Sequence, residues 1–141
     1  MADELYNGII IEAARGKAGA GQLEEPRTRI TCDNPLCGDR VTLDIRTANG
    51  AVEALAHKTR GCLLTQAAAC VLAAHAPGMS REELARLEGE LEALLAGQTD
   101  ETSLPELSMF TPVAAIKSRH ECVLLPFRAL SQALRQADEA G

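Results

Sequence analysis

Hydrophobic and polar positions change period twice along this chain, and each change marks a boundary between kinds of structure. Asp3 to Ala14 places Leu5, Ile9, Ile10 and Ala13 at helical spacing, with Asp3 positioned to cap the first turn. Gly16 to Pro26, carrying Gly16, Gly19 and Gly21, reads as a flexible loop. It is no phosphate-binding glycine loop, because it neither follows a strand nor opens a helix. From Arg27 the period drops to two. Arg27 to Asp33 alternates, and Arg40 to Thr47 sets Val41, Leu43 and Ile45 on one face against Arg40, Thr42, Asp44 and Arg46 on the other. Asn49-Gly50 is a strong hairpin signal, since a type I′ turn needs positive φ at both central residues, and Ala51 to Thr59 is then the return strand. The three segments predict an antiparallel meander with one wet face.

After Gly61 helical spacing returns. Cys62 to His75 is rich in Leu and Ala and stops before Pro77-Gly78. Ser80-Arg-Glu-Glu83 forms a capping box, followed by the stripe Leu84, Leu87, Leu91, Leu94 and Leu95. That stripe is either core or a groove for a partner, with core preferred. Gly97 to Ser103 is polar and loop-like, Leu104 to Phe110 fits a short turn, and Thr111-Pro112 opens a helix through Ile116. The last helix runs from Cys122 to Ala137, with Pro126 placed in its first turn or just after it. The expected architecture is α+β: a three-stranded antiparallel sheet with helices packed on one face.

Length and composition narrow the function. The 141 residues are expected to form a single domain, 1–141, large enough to bury a core without disulfides. Aromatics are scarce, with one Tyr, two Phe and no Trp, and the formal charge is −6. Both features argue against a nucleic-acid partner, which calls for stacking platforms and a basic surface. An acidic surface favours a protein partner carrying a basic patch. The N-terminus has no signal-peptide pattern, and no apolar run approaches a membrane span. Five cysteines, an odd count without secretory context, then predict a reduced, cytoplasmic protein.

The cysteines fall into sets. Asn34-Pro-Leu-Cys37-Gly-Asp39 puts a thiol and a carboxylate around one glycine turn; Cys62 and Cys122 each begin a predicted helix. Helix N-termini favour negative charge, so both thiols are biased toward thiolate. Three thiolates and one carboxylate make a four-ligand set suited to a thiophilic metal. Without a bare CxxC pair, spacing alone leaves open an ordinary turn at Cys37 and Asp39 and buried helix starts at Cys62 and Cys122. Cys32 reads as structural, and Cys70, eight positions after Cys62, reads as core. His120 is either a surface residue or an alternative ligand or proton carrier, with the surface preferred. His57 and His75 read as structural or helix-dipole partners.

Together, Asn34-Pro-Leu-Cys-Gly-Asp39, Gly61-Cys62 ahead of an Ala-rich helix, and Arg119-x-x-Cys122-Val-Leu-Leu-Pro-Phe-Arg-Ala-Leu130 resemble the iron–sulfur cluster assembly scaffold family of IscU/NifU N-terminal type. The resemblance covers Leu5 to Leu134. Within the family it is closest to the SufU branch, which has an insertion between the second and third cysteines, here Ser80 to Met109, and an Arg three residues before the last cysteine, here Arg119. Glu121 stands where the IscU branch has His. The resemblance implies Zn²⁺ held by Cys37, Asp39, Cys62 and Cys122, and sulfur accepted on Cys37 from a SufS-like cysteine desulfurase. Arg119 is assigned either a supporting role beside a thiolate or persulfide, or that of a solvated charge. The alternative is an IscU-like scaffold assembling a [2Fe–2S] cluster from iron and sulfide on Cys37, Cys62 and Cys122. Either reading implies a partner-dependent sulfurtransferase or scaffold rather than a stand-alone enzyme. The implied recipient is a downstream Fe–S scaffold or apo-protein, and the expected state is a monomer or weak oligomer.

Overall fold

A computed structural model describes residues 8–24, 28–34 and 38–140, with only the backbone of 138–140. Helix α1 (Gly8–Gly16) is followed by strands β1 (Thr28–Asn34), β2 (Asp39–Ala48) and β3 (Ala51–Arg60). Then come α2 (Leu63–His75), α3 (Arg81–Leu95), the 3-10 segments Pro105–Ala115 and Lys117–Arg119, and α4 (His120–Ala140). The expected cap at Asp3, Leu5 on the first helix, and Pro35, Leu36 and Cys37 of the turn motif lie outside the described residues.

The sheet is an antiparallel meander in the order β1-β2-β3, and the fold is α+β as the periodicity predicts. Asn49 and Gly50 both hold positive φ, 55° and 78°, so the hairpin turn has the backbone its residues favour. Val41, Leu43 and Ile45 point into the core and are fully buried. Covering them is α4, whose Val123, Phe127, Ala129, Leu130 and Ala133 join the same cluster. Alanines at 67, 68 and 69 keep α2 slim, so it packs against both α1 and α4. The Leu84–Leu95 stripe of α3 is core: all five leucines are at most 5 % exposed. Ser80 caps α3 as predicted, its Oγ accepting from the Glu83 N–H while the Glu83 carboxylate accepts from the Ser80 N–H, each at 3.1 Å. Among the described residues no helix is long and apolar enough to cross a membrane.

Four local expectations change. The Gly16–Pro26 stretch is not wholly loose: Ala20 forms a parallel bridge with His57, the Gly21 N–H donates to the His57 carbonyl at 2.8 Å, and the His57 N–H donates to the Gly19 carbonyl at 2.9 Å. This segment covers the open edge of β3. The wet face of the sheet is not uniformly wet either, because Asp44 is buried there. Arg29 grips Asp44 with two bonds of 2.6 and 2.9 Å, and the Leu23 N–H adds a third at 3.0 Å. The turn and short helix expected over 104–116 are one 3-10 segment with Pro112 inside it. Finally, α4 begins at His120, placing Pro126 within the helix, where it has no N–H to give the Cys122 carbonyl one turn back.

Candidate metal centre

The ends of β2, β3 and α4 and the start of α2 meet at one corner of the sheet. Asp39 is the first residue of β2, opposite Asn34, the last of β1. Cys62, separated from the end of β3 by Gly61, is the N-cap of α2. Cys122 lies in the first turn of α4 and is fully buried. The ligand atoms of Asp39, Cys62 and Cys122 all lie within 4.8 Å of one another. Two sulfurs at zinc-bond length in a tetrahedral shell sit about 3.8 Å apart, so this spacing suits a shared ion. Cys37, expected to complete the set and to accept sulfur, lies outside the described residues.

Asp39 is the most telling residue of this corner. It is 1 % exposed, and its Oδ1 accepts the Cys62 backbone N–H at 3.0 Å. Among the described residues its buried Oδ2 has no hydrogen-bond partner. A buried carboxylate oxygen without a partner costs about 1–3 kcal/mol or more, and a cation would supply the missing interaction. The donor set of two soft sulfurs and one hard oxygen fits Zn²⁺, and also the iron of a thiolate-held cluster.

Gly61 makes the approach possible. Its φ is +149°, a region that side chains disfavour, and a Cβ built there collides with Asp39 Oδ1. Glycine at this position therefore opens the space that the carboxylate fills. The Gly61 carbonyl in turn accepts from Gln66 Nε2 at 2.8 Å, tying the linker to α2.

The Cys62 thiol is pulled down to about 5, first by the hydrogen bond from the Cys122 thiol and next, among the lowering influences, by the Thr65 hydroxyl and the field of its backbone N–H. Burial and the Asp39 charge oppose the fall without reversing it. Thr65, one turn into α2, holds its hydroxyl 3.5 Å from Cys62 Sγ. Asn34 donates from Nδ2 to Cys122 Sγ at 3.9 Å. Thr65 does not stand out as chemistry in the sequence, and Asn34 does so only as the first residue of the Asn34–Asp39 motif, although each is a polar residue at a position whose pattern calls for an apolar one.

The remaining candidates are not among the clustered ligand residues. Arg119 is half-buried in the 3-10 turn Lys117–Arg119, its N–H donating to the Ile116 carbonyl at 3.0 Å. His120 turns its Nε2 to the carbonyls of Val113 and Ala114, at 3.1 and 3.2 Å, and is not among the clustered ligands. Glu121 pairs with Arg128 at 2.9 Å, which holds its carboxyl below the usual range. Cys32 is half-buried and donates to Gln132 Oε1 at 3.3 Å, whereas Cys70 is 3 % exposed in the core. Burial pushes both of these thiols up. A cavity of about 460 Å³ opens beside Cys70 and His57 rather than at the ligand cluster.

The chain as a whole is similar to known proteins. The chain is 26 % identical over 133 residues, 94 % of each chain, to the iron–sulfur cluster assembly scaffold protein IscU of Thermotoga maritima. It is 22 % identical over 138 residues to the zinc-dependent sulfurtransferase SufU of Bacillus subtilis, covering 96 % of this chain and 93 % of that one. The crystal structure of a nitrogen-fixing NifU-like protein (N-terminal) from Brucella abortus superposes with a TM-score of 0.92 at 32 % identity, over 99 % of both chains. Residues 5–123 match the NifU-like N terminal domain family, and with that match spanning most of its length the chain belongs to this family.

Proposed function

We propose that this protein serves iron–sulfur cluster assembly as a zinc-holding sulfur acceptor, with Cys37, Asp39, Cys62 and Cys122 as the ligands. The observation that carries the reading is the convergence of Asp39, Cys62 and Cys122, with one oxygen of Asp39 buried and without a partner among the described residues. Zinc at this corner would keep the thiols deprotonated near neutral pH and satisfy that oxygen. The carboxylate matters because closed structural sites favour Cys and His alone, whereas a harder oxygen ligand exchanges more readily.

In the transfer step the Cys37 thiolate attacks the outer sulfur of a desulfurase persulfide. A new sulfur–sulfur bond forms at Cys37, the old one breaks, and the desulfurase cysteine leaves as its thiolate. No net oxidation occurs, because the sulfane sulfur moves with its oxidation state unchanged. Half-buried Cys62 and fully buried Cys122 would hold the metal while Cys37 reacts. The insertion helix α3 and the pairing of Glu121 with Arg128 support the SufU-like reading, since no imidazole stands beside Cys122 at position 121.

The experiment adds this protein with bound zinc to a cysteine desulfurase and free cysteine. Desulfurase turnover should rise, and mass spectrometry should find added sulfur on Cys37. An unresponsive rate with no added sulfur on Cys37, Cys62 or Cys122 refutes transfer. Similarity to a relative named IscU favours a second reading, assembly of a [2Fe–2S] cluster. It would be preferred if iron and sulfide then yielded a stable coloured centre lost in Cys62→Ser.

A further inference from the structure

Beyond the four ligands, two buried polar side chains face the same sulfurs. Asn34 is 5 % exposed at the end of β1, on the core-facing side shared with Ile30. Thr65 is fully buried in α2, beside Leu64, Ala67 and Ala68. Buried polar groups are retained where they have hydrogen-bond partners. For a helical threonine the usual partner is the carbonyl four residues back. That carbonyl belongs to Gly61 and already accepts from Gln66. The Thr65 hydroxyl instead lies 3.5 Å from Cys62 Sγ, and the Asn34 amide 3.9 Å from Cys122 Sγ. Each described cysteine of the cluster thus has its own neutral polar partner, brought from a different element.

We propose that Asn34 and Thr65 are positioning residues that hold Cys122 and Cys62 as metal ligands, each donating a hydrogen bond to the bound thiolate sulfur. Such a bond withdraws electron density from sulfur, fixes its direction, and makes it a poorer nucleophile. Cys62 and Cys122 are thereby committed to the metal, and sulfur chemistry is left to the remaining thiol. Partners of this kind commonly change metal affinity by about 10–100-fold when removed. This inference rests on the metal-holding reading above.

The test uses cobalt in place of zinc, because thiolate-to-cobalt charge-transfer bands report the donor strength of the sulfurs. The proteins compared are wild type, Thr65→Val, Thr65→Ser, Asn34→Leu and Asn34→Asp. Affinity comes from competition with a chromophoric chelator. Thr65→Val keeps the shape of the side chain and removes the donor. It should weaken binding about ten-fold or more and move the bands to lower energy. Thr65→Ser should restore both. Asn34→Leu should behave as Thr65→Val, and Asn34→Asp, which places a carboxylate against a thiolate, should be weaker still. Unmoved bands in Thr65→Val and Asn34→Leu overturn the inference, even if affinity falls, as does failure of Thr65→Ser to restore them. Wild-type protein that takes up no cobalt overturns the metal reading and this inference with it. Wild-type binding with indistinguishable variants overturns the inference alone.

Discussion

Replacing Gly61 by alanine tests the geometry of the corner with a single methyl group. Two penalties follow from the structure. At φ +149° an L side chain is strained by about 1–3 kcal/mol. The new Cβ also collides with Asp39 Oδ1, so the carboxylate must leave the Cys62 N–H that it accepts at 3.0 Å. A hydrogen bond to a charged group contributes about 1.5–3 kcal/mol, so the two penalties together come to about 2.5–6 kcal/mol. For a chain of 141 residues this corresponds to a fall in Tm of roughly 10–20 °C. Gly97→Ala is the control: φ there is also positive, +77°, but nothing lies within 4 Å of the added Cβ. It isolates backbone strain, at about 1 kcal/mol. Thermal unfolding of the metal-free proteins by circular dichroism gives the stabilities, and chelator competition gives zinc affinity. Gly61→Ala should lower both, and Gly97→Ala should leave zinc affinity unchanged. A Gly61→Ala protein melting within about 2 °C of wild type, with full zinc affinity, would refute the packing of Gly61 against Asp39.

Three further outcomes follow from the same structure. Asp39→Asn removes the charge from a buried, half-satisfied carboxylate, so the metal-free protein should melt no lower than wild type while zinc affinity drops at least about ten-fold; a marked fall in metal-free Tm would count against the orphaned oxygen. Ser80→Ala breaks the capping box of α3 and should cost about 1 kcal/mol in denaturant unfolding without changing zinc affinity. Burial holds the His57 imidazole below its usual 6.5, with Nε2 bonded to the Ala18 carbonyl and Nδ1 to the Thr59 hydroxyl, each at 2.8 Å. The unfolded chain therefore takes up the proton first. His57's contribution to stability is complete above about pH 6.5 and declines as the pH falls from there toward the lowered value. His57→Gln should flatten that part of the stability–pH curve, and an unchanged slope would show that His57 does not titrate on unfolding.

The strands and the second half of the fold were legible because each rests on a local rule. Alternation set Val41, Leu43 and Ile45 inward, two positive φ values were written as Asn49-Gly50, and Ser80 with Glu83 announced α3. What escaped was long-range. Nothing near Gly19 shows that its backbone will pair with His57 and cover the β3 edge, and Asp44 reads as solvent-facing until Arg29 and Leu23 close over it. Pro112 reads as a helix start and divides the span 104–116 in two, whereas the 3-10 segment carries the proline inside it. At the corner, the residue types and motifs that bring out Asp39, Cys62 and Cys122 are local and readable, and the structure gathers these three together. The supporting roles of Gly61, Asn34 and Thr65 were not, since they exist only once four elements meet. A polar residue on an apolar face, as at Asn34 and Thr65, was the available signal.

Zinc K-edge X-ray absorption of the zinc-loaded protein bears most directly on the proposed centre. Coordination by Cys37, Asp39, Cys62 and Cys122 predicts three sulfur scatterers near 2.3 Å and one oxygen at about 2.0–2.2 Å. Cys62→Ser should reduce the sulfur count by one. A wild-type shell with fewer than three sulfurs, or one unchanged by Cys62→Ser, would contradict the assignment.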